Sequence, residues 1–302
     1  MKKKRADTTL VIVLALLILL VIISLVWILH IGNQRSIARA RDEAAREQQE
    51  AQQKAEEEAA AKRAEEAAIA SHVYSHRGSA GPEEHTFKAY DAAIEAGSHN
   101  IEQDVVISSD GVLYVSHDLN AVTMTGYNGM YEYISSETID SLTTEAGNKV
   151  LRLSEVFDRY GRDINYIIEL KPDSDACIEA FEALVDEYGL ADVITVQSMY
   201  SHVLETLEEK YPDMPKLYVC RSQGDFEYAL DKSYIDIISV KASAGLMTGS
   251  NCSAAHENGK AFSAWTLDTE ESIKDAIDMG VDTYFTNDTP LALSLEREYR
   301  NN

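Results

Sequence analysis

The chain has 302 residues, of which 45% are hydrophobic and 26% charged, and it carries a formal net charge of −24 at pH 7. So large an acidic surplus excludes a nucleic-acid binder and repels anionic lipid head groups, so any phosphate must be met at a local focus of positive charge such as a bound metal. The length admits two average domains or one large α/β barrel with appendages. The three cysteines, Cys177, Cys220 and Cys252, lack metal-type spacing and are too few and odd in number for a disulfide framework.

Met1–Arg5 is a basic cluster, and Leu10–Leu29 is an apolar run interrupted only by Ser24. Twenty apolar residues in a helix match a hydrocarbon core of about 30 Å. The run exceeds the apolar region of a signal peptide, and no small-x-small cleavage site follows it. It predicts an uncleaved transmembrane anchor within residues 1–32. Lys2, Lys3, Lys4 and Arg5 are denser than Arg35, Arg39, Arg41 and Arg46 on the far side, which predicts a cytoplasmic N-terminus and an extracellular remainder at the cell membrane. Residues 33–70 are dominated by Ala, Glu, Gln, Arg and Lys, contain no Gly or Pro, and repeat opposite charges at helical spacing. Their apolar positions are nearly all Ala, so a Leu/Ile coiled-coil seam is missing. The segment reads as a solvated helical stalk of roughly 55 Å at 1.5 Å per residue, with self-association as the alternative. Residues 1–70 hold 11 basic and 10 acidic residues, which leaves 16 basic and 41 acidic beyond them. The acidity therefore belongs to residues 71–302.

From Ser71 onward, short apolar runs alternate with amphipathic stretches. Strands are predicted near 73–76, 101–106, 166–170, 193–198, 216–220, 235–240, 262–266 and 283–286. Helices are predicted at 86–96, 176–188, 201–210 and 269–279. Eight such strands predict an α/β (β/α)8 TIM barrel over residues 71–302. A doubly wound sheet is the alternative, but no Gly-x-Gly-x-x-Gly turn supports its dinucleotide-binding form.

Residues 112–116 add a strand that breaks the alternation, because the four residues before it cannot make a parallel crossover. Asp110-Gly111 is the favoured type I′ pair, which predicts a β-hairpin rising from strand two. Counting outward from that turn pairs Asp104 with His117, and period-2 alternation puts Glu102 on the same face as Asp104.

Five short motifs lie on or beside these strands: His76-Arg77-Gly78, Glu84-His85-Thr86, Glu102-Gln103-Asp104, His117-Asp118 and Glu169-Leu170-Lys171. They supply three carboxylates for a hard cation, two histidines for proton transfer and two cations for a phosphate, the set a metal-assisted phosphodiester hydrolase needs. With Asp110-Gly111, Gln197-Ser198, Ala264-Trp265-Thr266 and Thr286-Asn287-Asp288, in matching order and spacing, residues 75–290 resemble the glycerophosphodiester phosphodiesterase family. The resemblance implies a barrel, one divalent cation (Ca2+ or Mg2+), and release of glycerol phosphate and an alcohol. Two departures stand out: the usual Pro is displaced to Pro82 with Glu83 inserted, and Asn287 is atypical.

Roles follow from residue chemistry. Glu102, Asp104 and Glu169 are the expected metal ligands, since hard cations take oxygen donors and an ionised buried carboxylate needs a partner. His76 and His117 are the expected general acid and base, in an order the sequence leaves open. Arg77 and Lys171 are expected to hold the non-bridging phosphate oxygens, to pair with the carboxylates, or both. Glu84 supports the metal shell, binds substrate hydroxyls or caps a helix. Asp118 orients His117 or a turn, and Trp265 stacks on the substrate or packs in the core. His85 and the remaining histidines join no complete constellation, although His85 could line the pocket. Residues 119–149 are expected over the barrel mouth, selecting the alcohol.

The expected substrate is a small glycerophosphodiester or a glycerol-phosphate polymer. Two other classes compete: a phospholipase D-like enzyme on intact lipids, disfavoured by acidity and stalk, and a non-catalytic membrane-tethered adaptor, disfavoured by the complete set of carboxylates and histidines.

Overall fold

The structure is a computed structural model that describes residues 2–299; the side chains of residues 2–9, 38, 40, 42 and 44 lie outside the described ones. Met1, the side chains of the basic cluster and the last three residues of the expected barrel segment therefore fall outside it. By internal packing the chain divides into one unit up to residue 64 and a second from residue 65 onward.

The first unit is helical, part of a helix Lys2–Ala70. Within it, Leu10–Ile37 is long and apolar enough to cross a membrane, and its described apolar side chains are exposed. A membrane span and a signal sequence share those properties. Beyond it, Lys54–Glu58 and Gln53–Glu57 are four-residue pairs on an exposed helix surface, worth tenths of a kcal/mol each.

Among its described residues the second unit has nine strands: β1 (Val73–Ser75), β2 (Asn100–Ile107), β3 (Leu113–Val115), β4 (Asn165–Leu170), β5 (Ile194–Ser198), β6 (Lys216–Cys220), β7 (Ile237–Lys241), β8 (Ala261–Trp265) and β9 (Thr283–Thr286). All but β3 pair in parallel in the order β1-β9-β8-β7-β6-β5-β4-β2, and β1 pairs with β2 to close the ring. This is the expected (β/α)8 barrel. Its helices begin where side-chain caps allow: Thr86 caps Phe87–Ala96, Ser222 caps Gln223–Leu230 and Thr269 caps Glu270–Met279.

Period-2 alternation sorts each strand between two cores. One set, including Val105, Ile168, Val196, Ile238, Phe262 and Tyr284, packs under the helices. The other set, Tyr74, Ile167, Leu217, Val219, Ile237 and Phe285, fills the barrel interior. Burying a residue such as Leu217 stabilises by about 1.5–3 kcal/mol, and this plug leaves the C-terminal ends of the strands as the open mouth. A third cluster, with Val106, Tyr114, Tyr131, Ile139 and Val150, gives residues 112–150 their own small core beside the hairpin.

The hairpin exists, but its register differs by one residue from the expected one. Val105 faces Val115 and Ile107 faces Leu113, so Asp104 faces Ser116, whose N–H donates to Asp104 O at 2.9 Å, and not His117. Asp-Gly does not form a two-residue turn here. Gly111 N donates to Ser108 O (3.1 Å), Ser108 N donates to Val112 O (2.9 Å), and Gly111 adopts φ 84°. A three-residue loop of this kind also wants Gly in the left-handed position, so the same dipeptide serves both registers.

Candidate active site

The inward parity of the strands runs to their C-terminal ends, and one residue past them at His76, Lys171 and Arg221, and builds the mouth. Tyr74 leads to His76, Glu102 to Asp104, Ile167 to Glu169 and Lys171, Val219 to Arg221, and Ile237 to Ser239 and Lys241. His76, Asp104, Glu169, Lys171, Val219, Arg221, Ser239 and Lys241, with Arg77, His117, Gln197, Met199, Trp265 and Phe285, line a cavity of about 290 Å³. Register sets the carboxylate row, because Asp104 pairs with Glu169 and Glu169 with Gln197 across β2, β4 and β5.

Glu102, Asp104 and Glu169 are buried and each offers one carboxylate oxygen within 4.8 Å of the others. Backbone geometry after β1 serves this cluster. Arg77 sits at φ 58°, a costly conformation for a non-glycine residue, and its N–H donates to Glu102 Oε2 at 2.9 Å. Gly78 is obligatory there: φ is 99°, and a Cβ would meet Ala89 at 2.6 Å.

Arg77 Nε lies 3.2 Å from Asp104 Oδ2, and Lys171 Nζ lies 3.4 Å from Asp104 Oδ1 and 2.9 Å from Glu169 Oε1. His85, also at positive φ (57°), is buried beneath Asp104 with Nε2 at 3.0 Å from Oδ2. A carboxylate only accepts, so His85 donates from Nε2 and Nδ1 accepts from the Tyr90 hydroxyl at 3.2 Å. Burial works against the Asp104 charge, but the His85 hydrogen bond and the nearby cations outweigh it and hold Asp104 well below the usual carboxylate range. Burial and then repulsion from Asp104 push Glu102 well up and Glu169 up to about 7.

This cluster fits a hard divalent cation. Oxygens sharing a Ca2+ at 2.3–2.6 Å can stand up to about 5.2 Å apart, which the 4.8 Å limit respects. The Gln197 amide, held through Nε2 by Glu102 Oε1 (3.3 Å) and Glu169 Oε2 (3.5 Å), keeps a buried Oε1 with no donor. The set is oxygen-rich and carries more negative charge than its neighbouring cations comfortably stabilise.

The two histidines differ in what holds them. His117 Nδ1 donates to Asp118 Oδ1 at 2.8 Å. His76 Nδ1 meets the Asn287 amide Oδ1 at 2.9 Å, while Asn287 Nδ2 and N donate to Asp268 at 2.8 and 2.7 Å. Asp268 accepts only, so it fixes the amide orientation and makes His76 the Nδ1 donor. Each ring therefore keeps Nε2 free. Burial and then the Arg77 charge lower the His76 pKa to about 4.

Glu84 is more than half exposed and pairs with Arg77 at 2.9 Å; the capping alternative falls to Thr86 instead. Trp265 lines the cavity with its indole under the Lys241 ammonium at 5.5 Å. His85, Gln197, Asn287, Arg221 and Lys241 are site residues to which the motifs gave no role. Gln197 and Asn287 stood in recognised stretches, and His85 within one, but their partners are remote in sequence.

A closed (β/α)8 barrel whose strand-end cavity gathers carboxylates, imidazoles and cations places the chain among the barrel enzymes, whose sites sit at this end. Residues 76–291 match the glycerophosphoryl diester phosphodiesterase family, and the chain belongs to that family of hydrolases. It is 26% identical to the glycerophosphodiester phosphodiesterase of Caldanaerobacter subterraneus subsp. tengcongensis, over 75% of this chain and 98% of that one. A Bacillus subtilis glycerophosphodiester phosphodiesterase is 25% identical over 74% of this chain and 86% of its own length. The fold is shared with a phosphodiesterase of Oleispira antarctica solved with the product sn-glycerol-3-phosphate, at TM-score 0.66 and 20% identity, covering 75% of this chain and 96% of that one.

Proposed function

We propose that the chain is a membrane-anchored, Ca2+-dependent glycerophosphodiester phosphodiesterase that releases glycerol 3-phosphate and an alcohol. The observation that carries this reading is the buried triad of Glu102, Asp104 and Glu169 with oxygens within 4.8 Å, flanked in one cavity by two histidines with free Nε2 atoms. Ca2+ is favoured over Mg2+ because Ca2+ accepts six to eight oxygens in flexible geometry, whereas Mg2+ demands near-ideal octahedral geometry and keeps several waters rather than sitting in an all-protein cage. The three carboxylates and the Gln197 carbonyl would hold the ion. When bound, it supplies Lewis-acid polarisation of the phosphoryl group and balances developing charge.

The protein's own groups perform the proton transfers. His76, held neutral by burial with Nε2 open, takes the proton from the attacking hydroxyl, either water or the glycerol hydroxyl beside the phosphate. The new P–O bond forms as the bond to the leaving alcohol breaks, and His117 delivers a proton to that oxygen. Where the glycerol hydroxyl attacks, the product is a cyclic phosphate, which a water deprotonated by the now neutral His117 opens to glycerol 3-phosphate as His76 returns its proton to the glycerol oxygen. Asp118 supplies the negative charge that balances an imidazolium at His117, whereas Asn287 offers His76 only a neutral amide. Arg77 and Lys171 orient the non-bridging oxygens, and Glu84 holds Arg77 in place. Trp265 contacts the glycerol carbons.

Residues 1–32 serve as the anchor, 33–70 as a solvated spacer and 71–302 as the catalytic barrel outside the cell membrane, acting on a small glycerophosphodiester or a glycerol-phosphate polymer. The test is release of glycerol 3-phosphate from glycerophosphocholine by the full chain in detergent micelles. Activity should vanish with EDTA and return with Ca2+ before Mg2+. Turnover indifferent to chelator would remove the metal assignment.

A further inference from the structure

Apart from the Trp265 ring, the half of the cavity formed by β6, β7 and β8 is not used by that chemistry. In the closed ring β6 stands four strands from β1, and β7 four strands from β2, so this wall lies across the mouth from His76 and the carboxylates. Its polar groups are Arg221, Lys241, the Ser239 hydroxyl and the Trp265 indole N–H. Arg, Lys and Trp can only donate, and Ser can donate. Ser239 is fully buried and lines the cavity, yet its Oγ has no hydrogen-bond partner; buried Trp265 Nε1 has none either.

Charge pairing separates the two walls. Arg77 and Lys171 are spoken for by Glu84, Asp104 and Glu169. Among the described residues, neither Arg221 nor Lys241 has an acidic side chain at salt-bridge distance, although residues 71–302 carry 41 acidic residues against 16 basic ones. Lys241 rests on Trp265, its pairing partner across β7 and β8. An acidic barrel that keeps two cations and two orphan donors on one cavity wall is complementary to an anion rich in acceptors. Between the walls, Met199, Val219 and Phe285 offer an apolar floor of the kind a glycerol carbon skeleton covers.

We infer that this wall binds a second phosphate carried by the substrate itself, so that the preferred substrates are glycerophosphodiesters with a further phosphate one glycerol away, as in a glycerol-phosphate chain. Rim cations on an acidic protein also focus the approach of a polyanion, an effect that salt suppresses. The inference rests on the phosphodiesterase reading above for the identity of the first phosphate.

The test compares kcat/KM of the full chain in micelles on glycerophosphoglycerol and on the same diester bearing a terminal phosphate. The wild type should prefer the second by about tenfold, the worth of one good charge-assisted contact. The preference should fall on raising salt, collapse in Arg221→Gln/Lys241→Gln, and persist in Arg221→Lys/Lys241→Arg. An equal ratio in wild type and the double Gln variant overturns the inference. Binding provides an arm independent of turnover, because Trp265 is the one tryptophan of residues 71–302. Glycerol 1,3-bisphosphate should change its emission saturably in the wild type and in His117→Ala, and not in Arg221→Gln/Lys241→Gln. An identical titration in the double Gln variant overturns the second site even in a protein that cleaves no diester; failure of cleavage with a differential titration condemns the phosphodiesterase reading alone.

Discussion

The two sides of the barrel mouth solve opposite electrostatic problems. On the β1–β2–β4 side, three buried carboxylates crowd together, and every nearby donor is already recruited: the Arg77 backbone and guanidinium, Lys171, His85 and Gln197. On the β6–β7 side, among the described residues, Arg221 and Lys241 have no acidic partner and the Ser239 hydroxyl and Trp265 indole N–H have no hydrogen-bond partner. The first wall holds a surplus of negative charge after its own donors are spent, so it calls for a cation. The second holds a surplus of donors, so it calls for an anion. On the reading proposed above, opposed polarity across one cavity would let a single phosphate chain be gripped at one unit and cut at the next.

The sharpest way to break this comparison is to empty the carboxylate wall. Asp104→Ala should reduce kcat/KM by at least about a thousandfold, the several kcal/mol expected of metal-assisted charge stabilisation. The same variant should lose its thermal response to Ca2+. Wild type at about a hundred times its dissociation constant gains about 2.7 kcal/mol, which is roughly 5–10 °C at this size. A melting temperature of Asp104→Ala that still rises with Ca2+ would move the ion elsewhere.

The histidines come next. His117→Ala should cost about 10²–10⁴ in kcat, the usual worth of a positioned acid or base. His76 offers a pH test, because its pKa is lowered to about 4 by burial and by Arg77. A histidine held below its ordinary pKa is neutral in the folded chain where the unfolded one would be charged. This group therefore favours unfolding increasingly as pH falls from about 6.5 toward 4. Asn287→Asp puts a carboxylate against Nδ1 and should raise that pKa, moving the acid limb of kcat/KM to higher pH; Asn287→Leu should free the ring and lower kcat about tenfold or more with KM little changed. An acid limb unmoved by Asn287→Asp would separate His76 from the base role.

The contrast between the walls also explains what the sequence discloses. The carboxylate side is built from contiguous motifs: Glu102 and Asp104 two residues apart on one strand, Glu169 and Lys171 likewise, so alternation alone brings each pair to one face. The barrel is legible for a related reason, since strand and helix periods are local; β6 and β9 occupy the expected residues 216–220 and 283–286. The second wall is scattered. Arg221 follows β6 and Lys241 ends β7, single basic residues that become a pair only once the two strands are neighbours, although extending the inward parity past Val219 and Ser239 would have marked both. Likewise the Asp268–Asn287–His76 chain joins residues about 200 positions apart, and His85 reaches Asp104 only because its backbone turns left-handed. The one-residue hairpin shift arose from a real ambiguity, as a glycine after aspartate satisfies either turn.

The smallest expected effect concerns that hairpin, which carries His117 to the mouth. Asp110 sits at its tip, is not among the cavity-lining residues, and accepts hydrogen bonds from Ser108 Oγ (2.8 Å) and from Ser136 N (2.8 Å) and Oγ (2.6 Å). The Ser136 hydroxyl, then Ser108, hold its pKa down to about 2. A carboxyl with a depressed folded pKa stabilises above its unfolded value and loses that contribution as pH falls through the folded one. Asp110→Asn should therefore lower the melting temperature slightly at pH 7, and the gap should close between about pH 4 and pH 2. Because the latch ties the turn to Ser136 rather than to the carboxylates, kcat should hold at pH 7. A fall in kcat that tracks the lost latch would show that His117 depends on the hairpin tip for its position, and that the first wall is braced from outside the barrel as well as from within.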